Sequence, residues 1–81
     1  MEKIIAVISI IVENTDKSSE INNILHSYAD NIVGRLGLPY TQRNMNIICV
    51  VVDGTKDIVL GLSEKIGAVD GVKVEKVCAT C

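Results

Sequence analysis

Hydrophobic residues gather along this chain in two long runs and several periodic stretches, and the spacing of each run predicts an element. Ile4 to Val12 is a run rich in β-branched residues that ends in the polar cluster Glu13-Asn14-Thr15-Asp16, which reads as a strand. Asn14, Thr15, Asp16, Ser18 and Ser19 are N-cap candidates, because a short side-chain oxygen can satisfy the first free amides of a helix. Ile21, Ile24, Leu25, Tyr28, Ala29 and Ile32 then recur at helical spacing, and Gly34 breaks the pattern. Leu36 and Leu38 alternate with Arg35 and Gly37, predicting a short strand stopped by Pro39, and Thr41 to Asn44 form a polar turn. Met45 to Val52 is a second apolar strand. Asp53-Gly54-Thr55 turns it into a helix whose buried side is Ile58, Val59, Leu62, Ile66 and Val69. After Gly71, Val72, Val74 and Val77 make a last strand, with Lys73, Glu75 and Lys76 in water.

The order is strand, helix, strand, strand, helix, strand. It predicts an α+β fold of the ferredoxin-like βαββαβ type: a four-stranded antiparallel sheet with two helices on one face. One domain spans residues 1–81, with no linker or low-complexity stretch. The first and third strands belong in the middle, since they are the apolar ones. The second and fourth carry Pro39 and charges, as exposed sheet edges do.

Both faces of the central strands are apolar. In the first, Ile5, Val7 and Ile11 oppose Ile4, Ala6, Ile8 and Ile10; in the third, Ile48, Val50 and Val52 oppose Ile47, Cys49 and Val51. An antiparallel sheet with helices on one side should alternate with polar residues on the other. Its open face therefore calls for a cover, and a second copy is the simplest one, giving a homo-oligomer (dimer or tetramer).

Composition sharpens this picture. Hydrophobic residues make up 48% and aromatics only 2%, so the core must be built of Ile, Val and Leu. A net charge of -2 argues against direct binding of nucleic acid. The run from Ile4 to Val12 is too short to cross a membrane, and the polar cluster behind it offers no small-residue cleavage site. Three cysteines cannot all pair within one chain, and a reduced, cytoplasmic location is the expectation.

The segment Leu25-His26-Ser27-Tyr28-Ala29-Asp30-Asn31-Ile32-Val33-Gly34-Arg35-Leu36-Gly37-Leu38-Pro39-Tyr40 resembles the small regulators of the iron-only hydrogenase system, as do Ile47 to Gly54 and Gly71-Val72-Lys73-Val74. The resemblance covers almost the whole chain. It implies an ACT-like domain, assembly into oligomers and a regulatory role in anaerobic bacteria, without defining a ligand or a reaction. A more distant likeness is to the effector domain of nickel-responsive repressors. His26 stands where their first nickel ligand would be, but Gly37, Pro39 and Met45 fall at or near the other three positions, so no nickel site of that kind is implied. The DNA-binding domain of those repressors is absent from the sequence. The loop from Glu13 to Ser19 also lacks the Pro-Gly pair of amino-acid-binding ACT domains.

The chemistry-bearing residues are few. Arg35, Gly37, Tyr40 and Arg43 lie on or beside the second strand and form the candidate ligand-binding set. Alternation sets Arg35 opposite Leu36 and Leu38, towards the open face, where it would bind a carboxylate or phosphate or form an intersubunit salt bridge. Asp53-Gly54-Thr55 offers amides at a helix start to an anion. His26, the only histidine, and the pair Cys78 and Cys81 are weak metal or redox candidates that lack further ligands. Cys49 reads as a packed core side chain. Nothing pairs a nucleophile with a base, and no phosphate loop occurs, so neither an enzyme nor a bound cofactor is expected. The expected role is a regulatory or sensing module that binds a small-molecule effector or a protein partner at an oligomer interface, shifting assembly or the behaviour of another protein. The alternatives are a ligand-free assembly module and a metal- or redox-responsive accessory protein.

Overall fold

The computed structural model describes residues 2–79. Its elements follow in the order β1 (Lys3–Val12), α1 (Ser18–Ser27), β2 (Ile32–Tyr40), β3 (Met45–Thr55), α2 (Lys56–Gly67) and β4 (Val72–Cys78). The four strands form one antiparallel sheet in the order β2-β3-β1-β4, so the two Ile/Val-rich strands are central. This is the ferredoxin-like arrangement that the element order predicts.

Strand alternation decides what is buried. Ile4, Ala6, Ile8, Ile10 and Val12 of β1, with Ile48, Val50 and Val52 of β3, face the helices and are buried. Ile21 and Leu25 of α1, and Val59, Leu62 and Ile66 of α2, close over them. No polar or charged side chain is buried among the described residues, so the core is a continuous aliphatic layer without rings. Each such side chain contributes roughly 1.5–3 kcal/mol of transfer free energy. Tyr28 bridges the helices: Lys65 Nζ stands 5.0 Å from its ring centroid, and a Cβ on Gly61 would lie 3.2 Å from its hydroxyl.

Caps and turns hold these layers in place. Asn14 accepts from Asp16 N at 3.1 Å and starts a short 3-10 turn that leads into α1. Thr55 caps α2 by accepting from Ile58 N at 3.3 Å. Gly71 has φ +76°, a region that L side chains rarely adopt, and its carbonyl accepts from Glu13 N at 2.8 Å. Asn44, at φ 55°, closes the Thr41–Arg43 turn ahead of β3.

Three boundaries differ from expectation. The helical stripe continues to Ile32 on paper, but α1 ends at Ser27, whose hydroxyl donates to the Ile24 carbonyl at 2.6 Å. Residues Ala29–Asn31 tighten into a 3-10 turn, and Asn31 Nδ2 donates to the Asp53 carbonyl at 3.2 Å. Ile32 then opens β2 opposite Val52 and packs on the same core, which is why helical spacing could not separate the two placements. β2 also runs through Pro39 instead of stopping there, because an edge position spares proline a ladder donor. β3 extends to Thr55, so Asp53 and Gly54 belong to the strand and pair with Ile5 and Ile4.

Candidate functional site

Two surfaces stand out, one on each side of the sheet. On the open side, Ile5, Val7 and Ile11 of β1 lie beside Ile47, Cys49 and Val51 of β3, with Leu36, Leu38 and Tyr40 of β2 at one flank and Val77 of β4 at the other. Leu36 is 68% exposed and Val77 71%, values far from those of a packed strand face. Near the middle, Ser9 Oγ and Cys49 Sγ are 3.4 Å apart. Four strands at about 4.8 Å spacing and about 3.3 Å per residue give this face roughly 600 Å². That is the plan of the whole face; its apolar part spans β2, β3 and β1 and is bordered on β4 by Lys73 and Glu75.

On the helix side, a cleft of about 440 Å³ runs along the seam between α1 and β2, lined by Asn22, Asn23, Leu25, His26, Ala29, Ile32 and Arg35. A smaller depression of about 210 Å³ adjoins it towards Ser18, Gly37, Pro39 and Asn46, and Asn22 and Arg35 line both. Asn46 Nδ2 donates to Ser18 Oγ and ties β3 to the start of α1 there. Arg35 NH2 donates to Asn22 Oδ1 at 2.9 Å, which fixes the guanidinium over the seam.

Arg35 therefore faces the helices, a correction to the expected open-face orientation. The cause is a β-bulge: Ile32 pairs with Val52 and Gly34 with Val51, so one extra residue enters β2 and reverses its alternation. Arg35 consequently shares a face with Val50, while Leu36 and Leu38 pair with Cys49 and Ile47 on the open side. The four residues of the candidate ligand set are split. Arg35 and Gly37 lie on the helix side, Tyr40 is on the open face, and Arg43 is exposed in the turn between β2 and β3. A Cβ added at Gly37 would meet nothing within 4 Å, so this glycine leaves the seam roomier without being sterically required.

The other candidates are dispersed. His26 is exposed on α1 and joins Arg35 in the larger cleft. Cys78 pairs with Ala6 at the end of β4 and does not line the cleft, and Cys81 lies outside the described residues. Among the described residues no group of three or more His, Cys, Asp or Glu could hold a metal ion. Cys49 lies half-buried on the open face and not in the core, because its pairing with Ser9 and Leu36 puts it opposite the helices. At Asp53-Gly54-Thr55, Asn31 Nδ2 occupies the space beside Gly54, and Thr55 already caps the helix. The cleft residues Asn22 and Asn23 carried no motif of their own. Their spacing did: Asn22 and His26 are i, i+4 and share one side of α1.

No helix among the described residues is long and apolar enough to cross a membrane. No curated protein matches the chain. Among solved structures, "uncharacterized protein TM1266 from Thermotoga maritima" is similar at a TM-score of 0.91 and 34% identity, over 98% of this chain and 100% of that one. The family model described as "Iron-only hydrogenase system regulator, putative" matches residues 4–76. With nearly every residue of both strand-helix units inside that match, the chain belongs to the TM1266-like family of iron-only hydrogenase system regulators.

Proposed function

We propose that this protein regulates the iron-only hydrogenase system as a homo-oligomer, with two copies covering each other's open sheet face and a small-molecule effector or protein partner read on the helix side. One observation carries the reading: the open face carries an aliphatic patch across β2, β3 and β1 that reaches Val77 of β4, with Ile5, Val7, Leu36, Leu38 and Val77 exposed and Ser9, Lys73 and Glu75 as its polar positions. A twofold pair is favoured because an isologous contact needs only one self-complementary patch. The face, at roughly 600 Å², approaches the ~800 Å² per partner of a standard stable interface. The family description supports a regulatory role over a catalytic one.

In this reading the two sides of the sheet divide the work. The open face assembles the protein, and the α1–β2 seam stays on the outside of the pair. Sedimentation velocity across a micromolar concentration series tests the assembly. A mass of two or four chains is expected, and a stable soluble monomer throughout the series would remove the proposal.

A further inference from the structure

Resting on the regulatory reading, we infer that the α1–β2 cleft binds a small organic carboxylate, its acid group on Arg35 and its short apolar body over Leu25, Ala29 and Ile32. The volume of about 440 Å³ lies within the ~300–1,000 Å³ usual for small-molecule sites. No acidic side chain lines the cleft, although the chain as a whole carries a net charge of -2. Its lining instead holds one guanidinium and one imidazole.

Arg35 is aimed and still has capacity. Among the described residues its side chain is held by a neutral amide, Asn22 Oδ1, and not by a carboxylate. A guanidinium has five N–H donors in a planar fork, which suits a carboxylate in a bidentate pair. Asn22 commits its oxygen to Arg35, which leaves its amide nitrogen as a further donor beside the same spot. Asn23 beside it and His26 one turn further along α1 supply polar edges. The apolar floor distinguishes a carboxylate with a hydrocarbon body from inorganic phosphate, which would leave Leu25, Ala29 and Ile32 uncovered. The bulge that turns Arg35 to the helix side also keeps the cleft clear of the open face, so occupancy and assembly are independent.

Isovalerate and inorganic phosphate, titrated at constant ionic strength into isotope-labelled full-length protein, test this by nuclear magnetic resonance. Isovalerate should shift the Asn22, Asn23 and Arg35 side-chain signals saturably. Arg35→Gln should weaken it about tenfold or more, and Arg35→Lys less, as loss of a charged, forked donor requires. Position 35 is exposed, so both variants should keep the wild-type spectrum elsewhere. Absence of saturable shifts, unchanged affinity in Arg35→Gln, or phosphate binding as tightly as isovalerate would overturn the inference. Sedimentation of the same samples keeps the two readings apart. A dimer that ignores isovalerate loses only the carboxylate site, and a monomer that binds it loses only the assembly.

Discussion

Replacing Val7 by glutamate places a charge at the centre of the open face. Val7 pairs with Val51 on one side and Val77 on the other, and it is 37% exposed in the single chain. In a monomer the longer glutamate side chain reaches water from that position, and the cost is the poorer strand preference, up to about 1 kcal/mol. In a face-to-face pair related by twofold symmetry, two carboxylates are buried together. The effective penalty is several kcal/mol per ion, so about 6 kcal/mol or more for the pair. A micromolar dimer is held by only about 8 kcal/mol, and each 1.4 kcal/mol is tenfold, so Kd should rise by about four powers of ten. Sedimentation velocity on Val7→Glu should show a monomer at concentrations where the wild type is paired. Far-ultraviolet circular dichroism should confirm that its fold persists. Ser19→Glu, which adds the same charge on exposed α1, should leave the assembly unchanged. If Val7→Glu retained the wild-type Kd, the open face would not be the contact.

The fold itself yields further expectations. Ile8 is fully buried, and Ile8→Ala should cost about 2–5 kcal/mol in urea unfolding, enough to lower Tm by roughly 10 °C or more. Gly71→Ala should cost about 1–2 kcal/mol from its φ of +76°, with crowding added because the new Cβ would lie 3.1 Å from that of Asn14; thermal unfolding measures it, and a neutral result would argue against the left-handed turn. Thr55→Ala removes the α2 cap and should cost about 1 kcal/mol, whereas Thr55→Ser should restore most of it.

The sheet was legible because its central strands are defined by burial. Ile and Val on both faces of β1 and β3 identify them as inner strands and also expose the need for a cover. The helices were legible from Ile21 and Leu25, and from Val59, Leu62 and Ile66, at helical spacing. The region from Tyr28 to Arg35 was not. There a 3-10 turn and a bulge each shift the count by about one residue, and a one-residue shift in a strand moves side chains to the opposite face. Ile32 satisfies the core from a helix or from a strand, so hydrophobicity gave no warning. The orientation of Arg35, and with it the cleft shared with His26 and Asn22, depends on a hydrogen-bond register that no local pattern encodes.

The scarcity of rings has a spectroscopic consequence. With no Trp, the protein's ultraviolet emission comes from two tyrosines, and they sit at different joints of the molecule. Tyr28 lies between the helices beneath the Lys65 ammonium, whereas Tyr40 is on the open face at 42% exposure. A chain carrying only the first ring would glow with the state of its own interior; one carrying only the second would respond to the arrival of another copy. The protein thus holds two separate native optical probes, one for folding and one for association.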